Sequence, residues 1–328
     1  MLVVSTGCPA GIGPEVSVAA AARVRRSCPV LVGEYRTILA AAEATGVRRE
    51  LFVPYDPARR STRHVQVLEA GPRLSERDRR PGRPSRRAGV AQLEYVNAAY
   101  RLAREAPGRA LVTGPVSKAV IAGSGFDGAR GFLGHTEWLR DLDGASTSVM
   151  CFASPRLVTS LATTHVPIGE LPRRLTEASV ADASYWLARL LQGLGHEHPR
   201  LAVCSLNPHA GESELLGHEE RQAIVPGIRA SRRRLRGKAR IEGPIGAETA
   251  YRKAYAGGFE GVVAMYHDQA TIPMKLVAFG EAVNVTMGLS IVRTSVDHGT
   301  GYDIAWQGSA SPSGMLAALR LAQRLTGS

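Results

Sequence analysis

Three short apolar runs constrain this chain more than any other feature. They are Leu157 to Ala162, the apolar part of Arg200 to Cys204, and Val262 to Met265. Bounded by turn residues, they read as buried strands rather than helices. Each gives way at once to a polar cluster holding a histidine. These clusters are Thr163-Thr164-His165-Val166-Pro167, Ser205-Leu206-Asn207-Pro208-His209-Ala210-Gly211-Glu212 and Tyr266-His267-Asp268-Gln269. In a parallel α/β sheet, ligands collect just beyond the carboxyl ends of the strands. Strands of one sheet bring such loops together.

The rest of the chain alternates in the same way. Strands are expected at Met1 to Thr6, Cys28 to Val32, Val65 to Leu68 and Arg109 to Thr113. Helices are expected at Pro14 to Val24, Tyr35 to Ala44 and Ser85 to Arg104, the last from the helical spacing of Val90, Leu93, Val96, Ala99 and Leu102. Ser148 to Ala153 and Leu157 to Ala162 read as a hairpin across Ser154-Pro155. Thr176 to Ser179 reads as a capping pattern before a long helix. Glu219 to Arg236 reads as a basic helix, Gly243 to Ala250 as a loop entering a helix, and Ser311 to Leu325 as a closing amphipathic helix.

The chain has 328 residues, 44% hydrophobic and 21% charged, which is an ordinary globular composition and a length for two domains or one large α/β unit. A net charge of +12 raises nucleic acid as a partner. The arginines crowd into Arg59 to Arg87 and Arg229 to Arg240, with no interleaved aromatics for base stacking. They read as solvated surface, so no nucleic-acid partner is expected. No apolar run approaches the roughly 18 residues of a membrane helix. Met1 leads into Leu2-Val3-Val4 with no basic leader. Cys8, Cys28, Cys151 and Cys204 show no paired spacing, so reduced thiols and a cytoplasmic location are expected.

Gly7-Cys8-Pro9-Ala10-Gly11-Ile12-Gly13 enters the first helix. It is neither G-x-G-x-x-G nor a P-loop, and a structural turn and a cofactor loop both remain open. Gly134-His135-Thr136 precedes another helix. It presents imidazole, hydroxyl and helix N–H groups to an anion, or else Thr136 caps that helix. Lys118, after Gly114-Pro115-Val116-Ser117, reads as either a helix-start surface residue, the favoured reading, or a site lysine.

Each of His165, His209 and His267 alone reads as a structural histidine. Together they occupy one topological position, and three neutral imidazoles would leave a divalent ion with open positions, as catalytic sites do. Asp268 could orient an imidazole from behind. Lys275, one of four lysines, follows closely, with Asn284, Arg293, Asp297 and His298 beyond it. From these residues the chain offers a metal site in an anion-friendly α/β cleft.

At the same positions the chain resembles the PdxA family of 4-hydroxythreonine-4-phosphate dehydrogenases. The motifs are Pro9 to Glu15 (PAGIGPE), Val112 to Lys118 (VTGPVSK), Gly134 to Glu137 (GHTE) and Thr163 to Pro167 (TTHVP). Asn207 to Glu212 (NPHAGE), Met265 to Gln269 (MYHDQ) and Arg293 to Thr300 (RTSVDHGT) complete the set. The resemblance implies a fold like isocitrate and isopropylmalate dehydrogenases, two α/β domains flanking a cleft. Residues 1–130 plus 290–328 would form the first domain and 131–289 the second, carrying most metal and substrate residues. It implies a homodimer with the active site at the subunit interface. It implies NAD(P) bound without a Rossmann fingerprint, and one divalent ion (zinc, magnesium or cobalt) on His165, His209 and His267. Substrate contacts would fall on His135, Thr136, Lys275, Asn284 and Arg293, with Lys275 and Asp268 catalytic. The implied reaction oxidises 4-phosphohydroxy-L-threonine at its C3 hydroxyl and then decarboxylates it, a step in making pyridoxal 5'-phosphate.

The chain departs from the family pattern in places. Cys8 stands where an acidic residue is usual, and Gly246-Ala247-Glu248 replaces proline-alanine-aspartate. A sister dehydrogenase acting on threonate or erythronate 4-phosphate is one alternative. A metal-dependent hydrolase built on the three histidines is another.

Overall fold

The computed structural model describes residues 1–58 and 63–327. The start of the basic segment that opens at Arg59, residues 59–62, lies outside the described residues.

Two compact units divide the chain, Met1–Ala145 with Leu289–Ser328, and Ser146–Gly288. The first opens with β1 (Leu2–Ser5), α1 (Gly13–Arg23), β2 (Val30–Gly33) and α2 (Tyr35–Ala44). Then follow β3 (Phe52–Pro54), β4 (Val65–Glu69), α3 (Arg86–Arg104), β5 (Ala110–Thr113), the short α4 (Lys118–Ala122) and α5 (His135–Asp143). The second unit runs through β6 (Val149–Ala153), β7 (Val158–Leu161), α6 (Leu171–Arg174), α7 (Glu177–Gly193) and β8 (Arg200–Cys204). It continues with α8 (Val225–Leu235), β9 (Arg240–Ile245), α9 (Ala247–Tyr255), β10 (Gly261–Ala264), α10 (His267–Ala278) and β11 (Val283–Met287). The chain then returns to the first unit with β12 (Val292–Val296) and α11 (Ser313–Thr326).

In the first unit the strand order is β3-β4-β2-β1-β5-β12, and every neighbouring pair is parallel. Apolar residues such as Val3, Val32 and Leu111 pack against the buried face of α3, including Val96, Ala99 and Leu102. Strands buried this way need helices on the sheet faces, and the alternation supplies them. In the second unit the order is β11-β6-β7-β10-β8-β9. Here β6 runs antiparallel to both neighbours, and β7, β10, β8 and β9 are mutually parallel. Ala202, Val262 and Ala264 share a core with Ala250, Ala270 and Met274.

Several local expectations held, and others need correction. The hairpin of β6 and β7 is present, closed by Ser154 N–H donating to the Leu157 carbonyl at 2.9 Å. Thr176 and Ser179 form a reciprocal capping box at the start of α7. The single basic helix is instead a π-turn, Glu220–Ile224, feeding α8, with Pro226 in the first turn of the latter. Proline has no N–H to continue a regular ladder, and the wider turn absorbs the mismatch. The loop at Gly243-Pro244 is part of strand β9, tolerated because β9 is the last strand in the order. The residues after His267 form α10 despite the internal Pro273.

Asp143, at the end of α5, fastens that helix to the lead into β12. Its carboxylate accepts from Ser290 N–H and Tyr100 Oη, each at 2.8 Å, and from the Ser290 hydroxyl. Burial alone would raise its pKa, but the hydrogen bonds from Ser290 and Tyr100 outweigh burial and hold it below the ordinary value. A carboxyl with a depressed folded pKa contributes stability above its unfolded value, about 3.9, and loses it as pH falls through the folded one. Asp143→Asn is therefore expected to lower the urea midpoint at pH 7 and to flatten the loss of stability below about pH 4. Urea titrations of both proteins across that range check it, and parallel pH profiles would contradict it.

Candidate functional site

Both groups of functional side chains stand just past the carboxyl ends of parallel strands. In the first unit, β5 and β12 lie in register, Thr113 opposite Ser295. A cavity of about 130 Å³ opens beyond them, lined by Thr113, Lys118, Gly134, His135, Ser295 and His298 among others. Arg293 is 2% exposed, and its guanidinium donates to Thr113 Oγ1 at 2.7 Å. Burial pushes its pKa down to about 10, with Glu137 acting the other way.

α5 enters this cavity by its amino end. The N-cap is Gly134, which offers no side-chain cap, so Thr136 is not the capping residue; it is buried in the first turn. Uncapped N–H groups at a helix start favour an anion. Phe132 holds the helix start in place, its ring 6.1 Å from His135 and 5.8 Å from Trp138. Trp138 Nε1 in turn donates to Asn97 Oδ1 at 2.8 Å. His135 Nε2 is sealed from solvent and has no hydrogen-bond partner. Burial, then the nearby Arg293 and Lys118 cations, hold this imidazole well below its ordinary pKa. It is neutral at pH 7.

Lys118 belongs to the cavity wall, which favours its reading as a site lysine over that as a surface residue. The first glycine loop also resolves. A Cβ at Gly7 would lie 2.3 Å from the Pro115 carbonyl, one at Gly11 2.6 Å from that of Thr300, and one at Gly13 2.3 Å from that of Thr6. These glycines let backbones close on one another, so the loop is a packed structural turn, not an open cradle for a dinucleotide. Cys8 within it is buried, its Sγ 3.4 Å from Tyr302 Oη. Burial raises the Cys8 thiol pKa. Glu15 was not singled out from sequence. Its carboxylate accepts from Trp306 N–H at 2.6 Å and Gly308 N–H at 2.9 Å, tying the loop after His298 to α1.

In the second unit, β7, β10 and β8 are adjacent and parallel, so the loops carrying His165, His267 and His209 leave the same edge side by side. Side chains stitch them together. Thr163 Oγ1 donates to the Met265 carbonyl at 2.7 Å, and Gln269 Nε2 donates to the Ser205 carbonyl at 2.9 Å. The His165 and His267 rings come to 5.6 Å between centroids. Asp268 Oδ1 lies 2.7 Å from His267 Nδ1, where it fixes the ring's orientation.

His209 is not drawn into a cluster. Among the described residues no group of three or more His, Cys, Asp or Glu side chains is arranged to hold a metal. The two rings that come together are those of His165 and His267. His209 and Ala210 have φ of 51° and 54°, and Glu212, Ser213 and Glu214 are also left-handed. Such residues cost on the order of 1–3 kcal/mol each and persist only where the surroundings hold them. Glu220 holds the start of this loop, accepting from Leu206 N–H and Asn207 N–H at 2.9 Å each. Lys275 is an exposed residue of α10, and Asn284 sits in β11 opposite Phe152. Gln269, Thr163 and Glu220 position the site, yet nothing in the sequence marked them except proximity to the histidines.

The family model for "Pyridoxal phosphate biosynthetic protein PdxA" matches residues 25–322. A 4-hydroxythreonine-4-phosphate dehydrogenase of Geobacter metallireducens is 37% identical, over 99% of this chain and 95% of its own. Solved structures of enzymes of that name superpose closely. The one from Klebsiella pneumoniae has a TM-score of 0.85 at 32% identity, covering 99% of both chains. The one from Burkholderia phymatum has a TM-score of 0.81 at 32% identity, covering 99% of this chain and 97% of that one.

The depressed His135 pKa gives a direct test. Without a ligand, its ring signals in an NMR pH titration are expected to stay those of neutral imidazole through pH 6.5, the ordinary midpoint. A midpoint at or above that value would contradict the burial argument.

Proposed function

We propose a reaction for a chain that belongs to the PdxA family of pyridoxal phosphate biosynthetic proteins. It is the NAD(P)-dependent oxidation of 4-phosphohydroxy-L-threonine at the C3 hydroxyl. Decarboxylation to 3-amino-2-oxopropyl phosphate follows, supplying pyridoxal 5'-phosphate synthesis. The observation that carries the reading is the His165–His267 pair, 5.6 Å between centroids, in a chain matching such an enzyme over 99% of its length. The implied kinship with isocitrate and isopropylmalate dehydrogenases belongs to the same reading.

When bound, a divalent ion supplies Lewis acidity at an alcohol oxygen and a nicotinamide dinucleotide supplies the hydride acceptor. His165 and His267 would hold the ion, with His209 as the third imidazole of the set. Asp268 orients His267 through the 2.7 Å contact. Lys275 accepts the C3 hydroxyl proton and returns one to the carbon that loses CO2. Asn284 contacts the substrate. His135, Thr136 and Arg293 bind its anionic end, where the buried guanidinium and the uncapped α5 N-terminus favour negative charge. The dinucleotide is assigned to no named residues, since the first glycine loop is packed shut.

The working form in this reading is a homodimer with shared active sites. Lys275 lies eight residues beyond His267 on α10, roughly 12 Å along the axis, which is far for one chain's lysine and imidazole to meet. The flank of the same helix is apolar and open, with Ile272, Leu276 and Phe279 at 66, 84 and 85% exposure. A second copy would cover that flank and bring in its own residues. The four cysteines are free, which suits a reducing cytoplasm.

Reduced nicotinamide is expected to form from 4-phosphohydroxy-L-threonine with NAD+ or NADP+ and a divalent ion. Asp268→Asn is expected to weaken metal affinity by about 10- to 100-fold, read by competition with a chelating dye. Phosphate release without reduced nicotinamide would favour the hydrolase. Faster turnover of threonate or erythronate 4-phosphate would favour the sister enzyme. Leu276→Asp is expected to give monomers by light scattering and to lose activity; an active monomer would remove the shared site.

A further inference from the structure

We propose that Tyr302 is a positioning residue for the cavity beyond β5 and β12. Its phenol fastens the loop that carries His298 to the helix start that carries Lys118, against an uncharged thiol at Cys8. This role presupposes the reading above, that the cavity takes part of the substrate.

The backbone around Tyr302 is set before its side chain acts. The Thr300 carbonyl accepts from Ile12 N–H at 2.9 Å. A Cβ on Gly82 would lie 2.8 Å from the Tyr302 carbonyl, and Gly82 N–H donates to the Ala10 carbonyl at 2.9 Å. Gly82 has a φ of 67°, which glycine adopts without a Cβ penalty. Residues 300–302 are thus pressed between the first glycine loop and the chain at Gly82.

From that base the phenol reaches three side chains. Its Oη lies 3.4 Å from Cys8 Sγ. The Ser117 and Thr300 hydroxyls bond the same oxygen. They act as donors, since they pull the phenol pKa down while burial and Cys8 push it up. The phenol O–H is then left to donate to the sulfur. That sulfur also accepts from the Ala10 and Gly11 N–H groups. Burial is the largest cause of a raised pKa at both Tyr302 and Cys8, so both are uncharged at pH 7.

The segments joined at this hydroxyl include cavity walls. Ser117 is the N-cap of α4, whose first residue, Lys118, lines the cavity. Its N–H is held by the buried Gln92 Oε1 at 2.8 Å. Thr300 stands two residues after His298, another lining residue. Cys8 N–H donates at 2.9 Å to the carbonyl of Pro115, which lines the cavity as well. An acidic residue is usual in the family where Cys8 stands, and a carboxylate there could accept from hydroxyl donors directly. A thiol is a weak acceptor. In this chain the phenol supplies the missing oxygen, so Tyr302 and Cys8 act as a pair without a charge.

The test compares wild type, Tyr302→Phe, Cys8→Glu and the double variant. One readout is the NMR ring signals of the histidines, which need no catalysis; the other is KM and kcat on 4-phosphohydroxy-L-threonine. Tyr302→Phe is expected to shift the His298 signals and leave those of His165 and His267 in place. KM should rise about three- to tenfold, the scale of one neutral hydrogen bond, with kcat within about threefold. Cys8→Glu on top of Tyr302→Phe restores an oxygen acceptor and should recover the His298 signals and most of the KM. Where Cys8→Glu costs too much stability, Thr300→Val decides, since its effect on KM should vanish in the Tyr302→Phe background. Wild-type His298 signals and KM in Tyr302→Phe, a defect that Cys8→Glu deepens in a folded protein, or full additivity with Thr300→Val would overturn the assignment. A His298 shift reversed by Cys8→Glu, in a protein that does not oxidise the substrate, would leave the positioning role standing and sink the proposed reaction instead.

Discussion

In a parallel ladder every strand delivers its carboxyl end to the same edge, and backbone hydrogen bonds decide which ends become neighbours. In the first unit the pairing of β5 with β12 sets Thr113 beside Ser295, and the cavity lined by Lys118 and His135 opens past them. In the second, β10 lies between β7 and β8, so the loop of His267 emerges between those of His165 and His209. Strand register is strongly specified here, because a slip of one residue would turn buried faces outward. The same ladder that holds each sheet together thus carries its functional side chains.

Strand ends alone do not place a side chain, and buried polar groups finish the task. Gln92 holds the turn before Lys118, Glu15 holds the loop after His298, Gln269 ties α10 to the end of β8, and Glu220 clamps the entry to the His209 loop. Each satisfies backbone N–H or C=O groups that would otherwise be costly to bury. His165, His209 and Lys275 are exposed, whereas the supports Gln92, Glu15 and Glu220 are sunk in the structure. The contrast is sharpest at His209, whose left-handed backbone depends on such a support.

Desolvation gives the first unit its chemistry. Arg293 loses water when β12 packs, and a guanidinium stripped of water attracts an anion more strongly than one at the surface. His135 is kept neutral by the same burial and by the cations around it. An imidazole in that state adds no charge beside the Arg293 and Lys118 cations.

Much of this was legible in the residues. Short apolar runs marked β1, β5, β7, β8 and β10, helical spacing marked α3, and Thr176 with Ser179 marked the start of α7. The motifs from Pro9 to Thr300 pointed to the family that the whole-chain matches identify. These signals are local, set by side-chain period and turn chemistry within a few residues. The approach of His165 to His267 was expected, but the choice between the open readings of the glycine loop and of Lys118, and the sealed Nε2 of His135, were not legible. Each depends on what residues far away in the chain bring alongside, and on the water their packing removes. Pattern along the sequence determined which groups are available. Adjacency and desolvation, which only the folded chain creates, decided which of them stand together.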